Sequence, residues 1–400
     1  MKNDHIQIED KSLCCGCEGC VNACPKDAIA IKEDEYGFSY PSVNTEACIN
    51  CGRCISVCPV CNDEKVKEKP LHAYAAIHKK STVLRESSSG GVFSAVAEHI
   101  LCQGGAVCGC VLDENLRPIH ICAENEQDVS RMRRSKYVQS NMGLIYRDVA
   151  KRLKNGQPVL FTGTPCQVAA LYGVLGGKKY ENLVTMDLVC HGVPSGLMFR
   201  RYIEYLEKKH RTKIIDFNFR SKKYGWQRWT TSYTDVNGRE KNLGKINEFY
   251  IPSFTGGNLM RPSCFSCKYA CPERAGDITV GDFWGHEKIK LSGNAEQGVS
   301  ICVFNTEKAM SIMPLLSDSL FLQEINYSIA VNGNHCLHAP TPKGEKWDLY
   351  MEALKNNNIE DVAGRYIRKN KKKILRNKLK MFVPYGFFAF VRKKKYGKKG

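Results

Sequence analysis

The spacing C-x2-C-x2-C-x3-C-P occurs twice near the start of this chain and constrains it more than any other feature. It runs through Cys14, Cys17, Cys20, Cys24 and Pro25, then through Cys48, Cys51, Cys54, Cys58 and Pro59, a repeat of 34 residues. Three thiolates at two-residue gaps can wrap three corners of a cubane iron cluster within one tight loop. The fourth cysteine opens a short helix that carries it to the other cluster. The repeat thus predicts two interleaved quartets: Cys14, Cys17 and Cys20 with Cys58, and Cys48, Cys51 and Cys54 with Cys24. The prolines end the loops by fixing φ and removing a donor. Zinc ribbons close one tetrahedral site with two separated C-x2-C pairs and need neither the interleaving nor the prolines. Cys15 and Cys61 fall outside the quartets and read as small apolar filler. Residues 28–31 and 40–43 between the loops read as short strands.

This head resembles a bacterial-type ferredoxin with two [4Fe–4S] clusters. The rest of the chain extends far beyond it. Four hundred residues, 43% hydrophobic and 25% charged, leave room for two or three domains. The start, residues 1–10, is polar and mixed in charge, unlike a signal peptide. The longest apolar stretch, 381–391, has eleven residues and contains Pro384 and Gly386, whereas a spanning helix needs about 20. A cytoplasmic location follows as an expectation, and 21 cysteines in a reducing compartment point to metal rather than disulfides. The net charge of +18 is concentrated at one end: residues 365–400 carry fifteen Lys or Arg and no acid, while residues 1–64 sum to −6. The high pI of 9.1 therefore reflects a tail and not a nucleic-acid-binding fold.

Residues 63–70 (DEKVKEKP) are charged and apolar-poor and read as a linker. Beyond it, Ser88, Ser89, Gly90 and Gly91 precede an apolar stripe at helical spacing. Such a turn suits a phosphate at a helix start or is a plain serine cap, and spacing alone leans to the cap. The basic run 131–140, with Lys136 and Tyr137, fits a pyrophosphate with a ring nearby or a solvated helix face. Residues 158–162 read as a buried strand, 163–167 (GTPCQ) as a turn into a helix, and 183–189 as a second strand ending in Cys190 and His191. Strand–helix–strand over some thirty residues is a βαβ unit with parallel strands. Loops at the carboxyl ends of such strands form the site, and Cys166, Cys190 and His191 all sit on them. Residues 224–229 look like exposed aromatics, and Asn237-Gly238 marks a hairpin turn. A further C-x2-C-x3-C-P run at Cys264, Cys267, Cys271 and Pro272 suggests another metal site. It has three local cysteines, so a fourth ligand must come from elsewhere, with Cys190 or Cys166 placed to serve.

Six of these words, in order, are similar to the beta-subunit family of coenzyme F420-reducing hydrogenases and dehydrogenases. They are SSGG at 88–91, SKY at 135–137, TGTPCQ at 162–167, DLVCHGVP at 187–194, CFSC at 264–267 and GDITVGDFWG at 276–285. The resemblance implies a flavin-binding α/β body with a cluster near the flavin, passing electrons between iron–sulfur clusters and an organic hydride carrier through FAD. Related members reduce other substrates, among them chlorophyll-pathway intermediates and sulfite. Carried onto this chain, it implies a third cluster on Cys264, Cys267, Cys190 and Cys166, with Cys271 a spare thiol. It makes Ser88, Ser89, Gly90, Gly91, Lys136, Tyr137, Gly163, Thr164, Pro165 and Gln167 candidates for the FAD site, and His191 and Cys166 candidates for the chemistry. The fused ferredoxin and basic tail resemble bacterial members that lack an F420 context and accompany surface-polysaccharide enzymes.

The expected fold is an α+β ferredoxin-like two-cluster head joined to a mixed α/β flavin-binding body with a basic C-terminal tail. Its segments are a ferredoxin domain at 1–66, body parts at 67–155 and 156–320, a helical extension at 321–364 and the tail at 365–400. The expected partners are an electron donor or acceptor protein, a hydride carrier or organic substrate, and, for the basic and aromatic tail, peripheral contact with an anionic membrane on its inner face. No nucleic acid is expected. The expected function is an iron–sulfur flavoprotein oxidoreductase. The alternative is an electron-delivery subunit without a substrate of its own.

Overall fold

A computed structural model describes residues 5–62 and 68–381, apart from the side chains of Lys288, Lys380 and Met381. Most of the linker and residues 382–400, with the aromatic part of the tail, lie outside the described residues. In the head, β1 (Ile29–Glu33) and β2 (Ser39–Val43) pair antiparallel between the two cysteine loops.

The body is built on an eight-stranded mixed sheet. Its strands are β3 (His72–His78), β4 (Ala106–Leu112), β5 (Pro118–Ala123), β6 (Val159–Gly163), β7 (Leu183–Leu188), β11 (Ile278–Asp282), β12 (Ser300–Phe304) and β13 (Leu320–Ile325). The order is β13-β3-β12-β11-β7-β6-β4-β5. The four strands at its middle, β11, β7, β6 and β4, run parallel, and the flanking pairs are antiparallel. Alternate residues serve opposite faces, as a strand's period of two requires. Val107 and Leu160 pack beneath the helix Val92–Cys102, whereas Cys108, Val159 and Phe161 pack against the helices Ile145–Lys154 and Pro165–Val174. Cys108 and Cys122 stand opposite each other on β4 and β5 and are joined as a disulfide. Two of the cysteines that composition assigned to metal are thus paired with each other.

A smaller antiparallel sheet, β10 (Glu240–Gly244), β9 (Thr230–Asp235) and β8 (Ile214–Ser221), packs with the helix Gly196–His210 into a separate core that also takes Phe38 and Tyr40 from the head. The aromatics expected to be exposed are not. Trp226 and Trp229 are buried, because Trp226 stacks on Trp284 at 5.1 Å and donates to Asp282 at 3.2 Å.

Two boundaries near the C-terminus differ from expectation. The extension at 321–364 opens with β13, an edge strand whose pairing with β3 buries Leu320 and Ile325. The basic residues from Arg365 onward continue one helix, Ile359–Met381. Ile374 is buried there, and the Tyr366 hydroxyl donates to the Ile246 carbonyl at 3.0 Å. This part of the tail therefore lays an apolar stripe on the body. Among the described residues no helix is long and apolar enough to cross a membrane.

Candidate functional site

Each cysteine loop of the head is curled by two left-handed residues at matching places in the repeat: Gly16 and Glu18 in the first, Asn50 and Gly52 in the second. Each loop then opens a short helix, Gly19–Ala23 or Arg53–Ser56. Cys24, at the end of the first helix, lines a small cavity with Cys48, Cys51 and Cys54. Burial, followed by the nearby Cys14, Cys58 and Cys54, pushes the Cys20 thiol up strongly. Burial likewise pushes Cys58 up to about 12. Backbone amides point at sulfur, from Ile6 to Cys54 (3.2 Å), Ala28 to Cys24 (3.3 Å) and Asn50 to Cys48 (3.4 Å). Amides aimed at sulfur suit thiolates that carry negative charge on a cluster.

The carboxyl ends of β6, β7 and β11 meet the Ser–Gly turn after β3 around a cavity of about 840 Å³. Cys166, Cys190, Cys264 and Cys267 all line it. Pro165 starts the helix Pro165–Val174, so Cys166 lies in its first turn, and the Thr164 hydroxyl meets the Cys166 sulfur at 3.2 Å. The loop after β7 bridges from Pro194 to Met260, and Arg261 donates its amide to the Val193 carbonyl at 2.9 Å. A Cβ on Gly192 would lie 3.3 Å from the Cys264 Cβ, so the loop carrying Cys190 runs directly along Cys264. Burial, then the nearby Cys264 and Cys267, pushes the Cys190 thiol up. Cys271 does not line the cavity; its sulfur contacts the carbonyls of Lys268 and Glu273, each at 3.3 Å.

Cys15, read from spacing as filler, lies at the edge of this group. It lines the same cavity as Cys166, and the neighbouring Cys166 and Cys17 draw its thiol down. No spacing rule singles it out; the docking of head on body puts it there.

The FAD candidates divide by what their polar atoms already do. Ser88 accepts from the Ser135 amide at 2.7 Å, and Ser89 donates to the Val299 carbonyl at 2.8 Å. Gly90 sits behind the cavity wall, donating to Ser300 Oγ at 2.8 Å. Gly91, with φ 83°, opens the helix Val92–Cys102 without any side-chain cap, so the helix start at the cavity is left to a ligand or water. Gln167 closes a capping box with Thr164, next to Gly163 and Pro165 at the end of β6. The Lys136 ammonium donates to the carbonyls of Arg131, Met132 and Arg133 at 2.9, 3.0 and 2.8 Å. It closes the C-terminal end of the helix Glu126–Met132, and burial draws it down to about 8. Tyr137 stacks on Phe254 at 5.0 Å. The Thr341 hydroxyl donates to the His191 carbonyl at 2.9 Å and its oxygen lies 3.2 Å from the His191 Nδ1, and burial lowers the pKa of the imidazole.

Two carboxylates that stand inside the motif words at 187–194 and 276–285, and to which no role was assigned there, hold this site in register. Asp187 at the end of β7 accepts from the amides of Ala275 and Gly276 and from Thr279 Oγ1, and pairs with Arg274. Asp277 accepts from the amide and hydroxyl of Thr185. Together they lock the strand that leads to Cys190 against the segment that follows Cys271.

Residues 156–330 match the family described as the C terminus of the coenzyme F420 hydrogenase/dehydrogenase beta subunit, and residues 13–62 match the 4Fe-4S dicluster domain. A coenzyme F420-dependent sulfite reductase of Methanocaldococcus jannaschii is 27% identical over 173 residues, covering 41% of this chain and 26% of that protein. An uncharacterized protein of the same organism is 26% identical over 208 residues, 44% of this chain and 57% of its own length. This chain thus spans between a quarter and somewhat over half of these relatives. A chain in a structure of the F420-reducing [NiFe] hydrogenase complex from Methanosarcina barkeri aligns over 76% of this chain and 94% of its own, at 15% identity and a TM-score of 0.45.

Proposed function

We propose that this chain, whose residues 156–330 match the coenzyme F420 hydrogenase/dehydrogenase beta-subunit family and whose residues 13–62 match the 4Fe-4S dicluster domain, is an iron–sulfur flavoprotein oxidoreductase. In this reading electrons pass between the head quartets and a body cluster on Cys166, Cys190, Cys264 and Cys267, and through FAD to a hydride carrier, F420-like or other, or to an organic substrate. The observation that carries it is the meeting of those four body cysteines with the Ser–Gly turn in one cavity, against which the first head loop is docked. Bound FAD supplies the conversion between single electrons and a hydride.

The residues present suit these groups. The four thiols line one cavity, and its volume is in the range of ligand pockets, roughly 300–1,000 Å³. The uncapped helix start at Gly91 favours an anionic phosphate, and Tyr137 offers a ring face. His191, oriented by Thr341 at Nδ1, lines the cavity beside Cys190. Anaerobic purification with iron, sulfide and flavin analysis tests the reading. Clusters in head and body with bound FAD, and reduction of a hydride carrier, are expected. Full iron with no flavin and no affinity for FAD would sink it and leave delivery of electrons to a partner enzyme as the better account.

A further inference from the structure

Among the described residues four arginines are buried. Arg133 pairs with Glu86 at 2.6 Å, Arg220 with Asp282 at 2.5 Å and Arg274 with Asp187 at 3.4 Å. Arg261, with 0% exposure, is as deeply buried as any. Its hydrogen bonds go to neutral groups: Nε to the Cys14 carbonyl (2.6 Å) and the two terminal nitrogens to Gln139 Oε1 (3.0 Å) and the Ser39 carbonyl (2.9 Å). The guanidinium also lies 4.3 Å from the centre of the Tyr40 ring. Among the described residues no carboxylate forms an ion pair with it. The nearby Glu18 carboxylate is taken up by backbone instead, accepting from the amides of Met142 and Gly143 at 3.0 and 3.2 Å.

A guanidinium does not release its proton in a protein, and a buried charge without a counter-charge is strongly unfavourable. An anion is therefore missing from the protein atoms around Arg261. The side chain reaches the first head loop at Cys14, while its own carbonyl accepts the amide of Cys264 at 3.0 Å. A [4Fe–4S] cube held by four thiolates is anionic when oxidised and gains one more negative charge on one-electron reduction.

We propose that Arg261 is the buried counter-cation of the cluster held by Cys14, Cys17, Cys20 and Cys58, and that it ties that cluster's charge to the Cys264 turn of the body. A fixed positive charge beside the Cys14 loop favours the reduced form, and local charge is one of the levers that set a cluster's potential. Arg261 is a positioning residue, holding the Cys14 loop and the Cys264 turn at one separation. The inference rests on the reading that this quartet binds a cluster, and the iron content of the unaltered chain tests that reading separately.

The test is an anaerobic redox titration of the full chain by electron paramagnetic resonance, with dithionite supplying the electrons and iron counted in each sample. Arg261→Gln should keep its iron while one cluster moves to more negative potential, with Arg261→Lys close to the unaltered protein. Full iron with every potential unchanged in Arg261→Gln overturns the proposal. Where Arg261→Gln loses iron, Arg261→Lys decides. Retained iron there identifies charge as the requirement; equal loss identifies the three-way hydrogen-bond fork instead and overturns the counter-cation role.

Discussion

The two cysteine loops of the head come from one repeated sequence and end in opposite surroundings. The first is bolted to the body. The Tyr146 hydroxyl donates to the Cys17 carbonyl at 2.9 Å, Gln139 to the Gly16 carbonyl at 2.9 Å, and Arg147 to the carbonyls of Asn22 and Cys24 at 2.8 and 2.7 Å. A Cβ on Gly16 would strike Gln139 Nε2 at 2.2 Å, so this position takes glycine for its neighbours as well as for its left-handed φ. In the second loop Ile49 and Cys51 are exposed. Where Gly16 stands in the first loop, Asn50 stands in the second. The spacing that binds a cluster is thus the same twice, and the residues between the cysteines decide which loop faces the body and which faces outward. An inner loop beside the body cysteines and an outer one open to solvent suit a relay entered from outside.

The largest expected contrast comes from losing one ligand on each side. Cys17→Ser and Cys51→Ser should each remove about four iron atoms. Cluster binding contributes directly to folding, and the inner loop is tied to the body by several hydrogen bonds, whereas the second loop meets it near its end, where Lys268 donates to the Pro59 carbonyl. Cys17→Ser should therefore lower the thermal midpoint of the whole chain well beyond the effect of Cys51→Ser, measured by anaerobic calorimetry. Equal shifts would break the comparison.

That contrast has to be measured away from the body's own acid sensitivity. His120 is buried, with Nε2 3.1 Å from the Thr162 carbonyl, and burial lowers its pKa from 6.5 to about 4. The unfolded chain then binds more protons between those values, so stability is full above pH 6.5 and falls as pH drops toward 4. The loss is on the order of 3 kcal/mol. Denaturant unfolding of His120→Gln should show a flatter acid limb.

A smaller effect is expected at Gln139, which holds Gly16 and Arg261 together. Gln139→Ala should cost about 1–2 kcal/mol and leave the outer loop's iron intact. The smallest is at the exposed head–body pair of Glu33 and Arg200, 2.7 Å apart. Glu33→Gln should change the midpoint by less than about 1 kcal/mol in equivalent stability.

Sequence made some of this legible because it rests on local rules. The 34-residue repeat announces the head, and the βαβ pattern places Cys166, Cys190 and His191 at the carboxyl ends of parallel strands. What it hid depends on docking. Cys15 is an extra thiol beside Cys14 until the head meets the helix Pro165–Val174. Arg261 is one arginine before a proline until its side chain crosses to the first loop. Lys136 read as a charge for a phosphate, yet its three hydrogens close a helix end a few residues away. The basic residues after Arg365 looked like a free tail because charge hides the apolar stripe that seats Ile374.

The proposed relay requires that the body carry its own cluster, drawn from the loops after β6 and β7 and the turn at 264–267. Iron counting on the anaerobically purified full chain tests it most directly, comparing the unaltered protein with Cys264→Ser and Cys271→Ser. The account predicts about twelve iron atoms in the unaltered chain and in Cys271→Ser, and about eight in Cys264→Ser. Undiminished iron in Cys264→Ser, with a cluster's worth lost from Cys271→Ser, would contradict it.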